Sequence, residues 1–317
     1  MAYTLTSVVA FCLTLFVYIH IKHHRKRSNE LDVYYIDYPS KEKLDEVCEM
    51  RQPVVFTASK LADVVKDCFD MNTLVQKYGD FLVNVRLKEA LTPVRLRDAY
   101  SMCSQSSTLL SEFNDEFIAE TGLAKNLKTI EYMLRPSMVV MVKYDVLFGG
   151  KGSRTPLRTR INYKNYLTAV KGNVSVRLAS SKYARDLGLE RDYDTFDFLA
   201  KNDEDCNAKF LKVELKPSQT LFVPPHWFYS VEFEASDAVV VGMHYETAMS
   251  VVANAEDYVM RYLQSHNVRY KLPTTAKEMP EKKEMPQEIS EKVSEKDKEK
   301  EKEEEKDGER DGETELQ

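Results

Sequence analysis

Apolar and polar residues are spaced with three different rhythms along this chain, and each rhythm predicts a different kind of element. Residues 4–21, TLTSVVAFCLTLFVYIHI, contain no Lys, Arg, Asp or Glu, and a run of about 18 apolar residues just reaches the length that crosses a hydrocarbon core as a helix. Helical spacing then opens at Ser40, a suitable N-cap, and runs through Met50. It returns in SKLADVVKDCF and in MNTLVQKYG, where Gly79 is placed to give a left-handed C-cap. PVVF at 53–56 reads as a short buried strand and FLVNVRL alternates as a strand. From Leu91 to Leu134 the pattern predicts mostly helix, notably in SEFNDEFIAETGL.

After Pro136 the period becomes two. MVVMVKYDVLFGG, LRTRINYKNYLTAV, NVSVRLA, AKFLKVEL, TLFVPP, WFYSVEFEA and AVVVGMHYE predict strands separated by Gly, Pro and polar turns, and SVVANAEDYVMRYLQSH predicts a closing helix. Helices followed by clustered strands predict an α+β fold, an antiparallel sandwich or barrel with helices outside it. In WFYSVEFEA, Tyr229, Val231 and Phe233 share the face expected to point inward. In AVVVGMHYE, His244 shares a face with Val240 and Gly242, opposite Val239, Val241, Met243 and Tyr245, and alternation alone leaves the inner face undecided. Trp227 and Phe228 read as packing at the rim, and the glycines of FGGKGS read as a turn, since the spacing is not that of a phosphate loop.

Charge refines this picture at the two ends. Residues 277–317 carry 10 Lys and Arg against 17 Asp and Glu and almost nothing apolar, so this stretch is expected to be disordered. The whole chain has a net charge of −6, which leaves the rest near +1. A near-neutral domain gives no bulk reason to expect nucleic acid. Five cysteines without close pairing (Cys12, Cys48, Cys68, Cys103, Cys206) fit reduced thiols. KHHRKR at 22–27 follows the apolar run and no Lys or Arg precedes it, which predicts a single-pass membrane protein with its domain in the cytosol. A cleaved signal peptide would need a basic stretch before the run and a small-residue site after it, and both are missing. The expected organisation is an anchor over 1–21, a basic juxtamembrane linker over 22–39, a domain over 40–271 and a charged tail over 272–317. In the cytosol the sequon Asn173-Val174-Ser175 would go unused.

Five segments, in order, carry a resemblance: RQPVVF, FDMNTLVQKYGDFLVNVR, LRPSMVVMVKYDVLFGGKGSRTPL, NYLTAVKGNVSVRL and VELKPSQTLFVPPHWFYSVEF. Over roughly Asp45 to Tyr245 the chain resembles the cupin-like branch of the JmjC family, which includes iron- and 2-oxoglutarate-dependent hydroxylases. The resemblance implies a double-stranded β-helix, the cupin/JmjC jelly roll, with flanking helices. It also implies an Fe(II) site of two His and one carboxylate in active members. The first two ligands follow the T-P-L segment as His-x-Asp/Glu, and here those positions are Arg158 and Arg160. The third lies two residues after the tryptophan of P-P-x-W and is Tyr229 here. Counting instead from Gly172 shifts the first pair to Thr159 and Ile161. Neither register supplies a ligand set, because a guanidinium has no free lone pair. The family's 2-oxoglutarate-binding Lys falls at Val174.

Two arrangements of the arginines follow. Pointing inward together, Arg158 and Arg160 would make an anion pocket in the barrel mouth, with Trp227 and His244 as further pocket candidates. In the shifted register Thr159 and Ile161 face inward and the arginines reach solvent or surface acids such as Glu232, which the cost of burying two unpaired like charges favours. The functional expectation is a catalytically degenerate, membrane-anchored binding or scaffolding module with no cofactor, and with a protein, peptide or anion in the mouth. The alternatives are an Fe(II)/2-oxoglutarate-dependent protein hydroxylase or demethylase with an unusual metal site, and a structural component of a membrane assembly whose mouth is filled by its own side chains.

Overall fold

The computed structural model describes residues 2–88, 90–192, 195, 197–202 and 207–266. In chain order they form α1 (Ala2–His24), β1 (Tyr34–Asp37), α2 (Lys41–Glu49), β2 (Val54–Thr57), α3 (Ser59–Cys68), α4 (Met71–Tyr78), β3 (Leu82–Leu87), β4 (Ala90–Arg95) and α5 (Leu96–Gln105). Next come β5 (Leu110–Ser111), α6 (Asp115–Glu120), α7 (Leu123–Ile130), β6 (Val139–Gly149), β7 (Arg158–Thr159), β8 (Lys164–Lys171), β9 (Val174–Ala179) and α8 (Ala184–Leu187). The chain continues through β10 (Leu189–Arg191), β11 (Phe198–Ala200), β12 (Phe210–Leu215), β13 (Gln219–Val223), β14 (Phe228–Phe233), β15 (Val239–Thr247), α9 (Ala248–Ala253) and α10 (Ala255–His266). The expected tail over 272–317, the expected domain end at 267–271 and Cys206 lie outside the described residues.

The fold is α+β. One sheet is mixed, in the order β1-β2-β13-β8-β15-β6-β5-β3-β4, with β1 and β2 parallel. The other is antiparallel, in the order β10-β11-β7-β14-β9-β12. Alternation along each strand separates two cores. Val55, Leu167, Leu221 and Val240 of the larger sheet meet Leu178, Val213, Trp227, Tyr229, Val231 and Phe233 of the smaller one. On the far side of the larger sheet, Phe56, Tyr166, Phe222, Val241 and Tyr245 pack against Leu44, Val65, Leu74, Phe117 and Leu127 of the helices. The alternation of β15 is thereby resolved: Val240 and His244 face the partner sheet, while Val241, Met243 and Tyr245 face the helices.

Several expected elements differ. The helix expected from Leu91 begins as β4, paired with β3 at the edge of the sheet, where Pro93 blocks a helix but is tolerated in an edge strand. SEFNDEFIAETGL starts as the end of β5 and a turn, with helix only from Asp115. Gly79 ends α4 in the right-handed region, at φ −58°. The linker expected over 22–39 is partly structured, because α1 continues to His24 and 34–37 pair with β2. The closing helix divides at Asn254 into α9 and α10.

Among the described residues, α1 is the one helix long and apolar enough to cross a membrane, and its apolar side chains are exposed along its length. Its C-terminal end packs on the domain, where Arg25 Nη2 donates to the Ala253 carbonyl at 3.2 Å. Cys12, Cys48, Cys68 and Cys103 are free thiols.

Candidate functional site

β7 and β14 run antiparallel with Arg158 directly across from Tyr229 and Thr159 across from Phe228. The positions matched to the family's ligands are therefore neighbours in space. Extended chain alternates its side chains, so Arg158 and Arg160 go to the side of Glu112 and Asp197. Thr159 and Ile161 go to the other, where with Phe228 and His226 they line a cavity of about 220 Å³. The expectation that Thr159 and Ile161 face inward while the arginines reach solvent or Glu232 is overturned. Arg158 is 2% exposed and Arg160 8%. What sequence reasoning lacked was their partners.

Those partners are two buried carboxylates. Arg158 Nη2 is paired with Glu112, whose other oxygen is paired with Arg86 Nε. Asp197 lies 3.5 Å from Arg158 Nη1 and 2.9 Å from Arg160 Nε, so it joins the two arginines. The Phe113 ring covers both guanidinium groups, at 4.8 Å from Arg158 Cζ and 5.5 Å from Arg160 Cζ.

A dedicated turn aims Glu112. Phe113 takes the left-handed conformation, φ 60°, which a bulky residue adopts only when its surroundings enforce it. The Asp145 carboxylate does so, accepting from the amides of Phe113 (3.1 Å) and Asn114 (2.8 Å). The Asn114 side chain donates to the Val146 carbonyl at 2.7 Å and accepts from the Asn84 amide at 2.8 Å, tying the turn to β6 and β3. Opposite, the loop bearing Asp197 is closed by the Asp192 amide donating to the Asp197 carbonyl at 2.9 Å.

Burial and charge compete at every group here. Burial works to raise the Glu112 carboxyl, but the Arg158 and Arg86 charges outweigh it and hold the group below its ordinary range. Burial also opposes the charged forms of Arg158 and Arg160, and chiefly Glu112 for the first and Asp197 for the second restore them. At Asp145 burial outweighs the Arg160 charge and the two amide donors together and pushes the carboxyl up to about 6. Burial pushes the Tyr229 phenol up to about 12. The result is a cage of fixed ion pairs around a neutral phenol.

The remaining candidates take structural places. His244 is buried, its Nδ1 lies 3.1 Å from Asn165 Oδ1, and burial followed by the charges of Arg160 and Lys143 pushes it well below its ordinary value. Gly242 makes room for it, since a Cβ there would come within 2.9 Å of His244 Nε2. Trp227 is fully buried in the core between the sheets. Beside Arg160, His244, Asp145 and Lys143 lies a cavity of about 40 Å³.

The implied iron site does not fit these side chains. Guanidinium groups cannot ligate, and the nearby carboxylates Glu112 and Asp197 are engaged by arginines. Among the described residues, no group of three or more His, Cys, Asp or Glu is arranged to hold a metal. Comparison with models of known protein families gives no match, and comparison with the curated proteins gives none.

Proposed function

We propose that this chain is a membrane-anchored scaffold built on a degenerate double-stranded β-helix of cupin/JmjC-like type. The strand order supports the fold reading. β6, β8, β13 and β15 sit in one sheet and β7, β9, β12 and β14 in the other, so the chain crosses repeatedly between the two as a double-stranded β-helix requires. The observation that carries the functional reading is the buried Arg158–Glu112 and Arg160–Asp197 pairing at the positions matched to metal ligands. With a cavity of only about 40 Å³ beside it, the arginine side of this site has room for little more than water.

The test is thermal unfolding of the full chain in neutral detergent, with and without Mn(II) plus 2-oxoglutarate. The expected midpoint is unchanged. A joint rise of the size that a ligand at 100 times its dissociation constant gives, about 2.7 kcal/mol, would restore the oxygenase reading.

The cytosolic orientation has its own test. Asn173 is exposed at the start of β9, so the sequon is reachable wherever the domain faces a lumen. Expression in a eukaryotic cell is expected to yield protein insensitive to endoglycosidase. A glycan on Asn173 would place the domain outside the cytosol.

A further inference from the structure

The end of α1 is gripped by charged and aromatic side chains. His23 Nε2 lies 2.8 Å from Glu49 Oε2, and the His24 and Tyr163 rings meet edge-on with centroids 4.9 Å apart. The Tyr163 ring also carries the buried Arg51, whose Cζ is 5.1 Å from its centroid. α9 packs along the last turns of α1, where His20, Ile21 and His24 are half-buried while residues 4–19 are exposed. Arg25 and Arg27 line one cavity with Ala253, Asn254, Glu256 and Asp257, so α10 starts beside the first residues past the apolar run.

α10 is built inside out. A surface helix of a globular domain ordinarily turns its apolar stripe inward and its polar face to water. At about 3.6 residues per turn, Asp257, Tyr258 and Arg261 share one side of α10 and Val259 and Leu263 the opposite one, with Tyr262 at its edge. The polar side is the one that meets the domain. Asp257 pairs with Arg191 at 2.5 Å, Tyr258 bonds to Glu246 at the end of β15, and Tyr258 and Arg261 line the small cavity that Met141 and Lys143 of β6 also border. The apolar side is turned to the outside: Val259 is 56% exposed, Tyr262 63% and Leu263 57%. Val252 of α9, next to the end of α1, is exposed as well.

An outward apolar stripe is unfavourable in water and favours an apolar cover. Residues 277–317 carry almost nothing apolar and offer none. The apolar surface that adjoins the stripe is α1 itself, exposed along its length. We infer that α9 and α10 lie on the bilayer surface beside the entry of α1, with Val252, Val259 and Leu263 dipped to the level where headgroups meet acyl chains and Tyr262 at the rim. The basic run at 22–27 marks the same level, and Glu256, which flanks the stripe, lies in the cavity of Arg25 and Arg27, whose charges offset its own. This seat rests on the reading of α1 as a membrane span and adds to it a second, shallow contact.

Quenching of tryptophan fluorescence tests it on the full chain in phosphatidylcholine nanodiscs, plain or brominated on the acyl chains. The one native tryptophan, Trp227, is fully buried in the core and gives a constant background. Val259→Trp and Leu263→Trp are each expected to lose about half of the added emission in brominated lipid, since an interfacial helix sets its apolar face about 5–10 Å into the headgroup and acyl boundary. Phe11→Trp, within α1, is expected to be quenched too, and Leu82→Trp, exposed on β3 near the far edge of the larger sheet, is not. Quenching at Phe11→Trp without quenching at either α10 position overturns the seat and leaves the anchor standing. No quenching at Phe11→Trp removes the anchor and the seat with it. Equal quenching at Leu82→Trp overturns the seat, as does a blue shift at 259 and 263 without quenching, which would assign the stripe to a second copy of the chain or another protein.

Discussion

Arg158→Met is expected to cost about 3–5 kcal/mol of stability, because it strands a carboxylate in the interior. Glu112 is fully buried, and with Arg158 gone it keeps only Arg86. Glu112→Gln should be comparably harmful, since it leaves two guanidinium groups facing a neutral amide. The informative variant is the double, Arg158→Met/Glu112→Gln, in which both members of the pair lose their charge together. Buried pairs behave as units, so the double is expected to be more stable than the summed single costs imply, by at least about 1.5 kcal/mol. Urea unfolding of the full chain in neutral detergent measures all three. Strictly additive costs would mean that the pair is a packing coincidence and that the cage does not hold the site together.

A larger effect is expected from rebuilding the ligand triad as Arg158→His, Arg160→Asp and Tyr229→His. In an open mouth these changes would be nearly neutral. Here they remove both arginines facing Asp197 and one of the two facing Glu112, and they add a further acid to an interior that already holds Glu112, Asp145 and Asp197. The expected loss exceeds about 5 kcal/mol, enough to unfold a domain of ordinary stability. Adding Glu112→Gln and Asp197→Asn to the triple is expected to recover folding, since the stranded charges are then gone. Circular dichroism melting of the two sets decides the matter. A triple variant that melts within a few degrees of the parent would show that the arginines do not brace the fold.

Much of the architecture could be read from residue patterns because it rests on local rules. The alternation of WFYSVEFEA places Tyr229, Val231 and Phe233 in the inter-sheet core, and Ser40 and the apolar run at 4–21 fall in the elements that they suggest. The site was legible only in half. The pairing of Arg158 with Tyr229 across two strands is visible once P-P-x-W and T-P-L are matched, but Glu112 and Asp197 carry no spacing signal. Glu112 sits in SEFNDEFIAETGL, which has helical periodicity, and contacts with β3 and β6, among them the Asp145 carboxylate, hold 111–114 out of a helix. The Asp145 contacts join residues 31 apart or more, and such tertiary contacts are what local propensity omits. Arg51 shows the same limit, since nothing in MRQPVVF marks it as buried.

The grip on the end of α1 sets how far the domain can roam. His23, His24 and Arg25 dock on Glu49, Tyr163 and Ala253 directly at the end of the apolar helix, so no slack separates the anchor from the fold. With α1 across a bilayer, the domain would be a fixture with one side turned to the lipid, searching in two dimensions at constant height. A partner confined to the same membrane would meet it at high effective concentration, while one held on a distant structure could be reached only by its own tether.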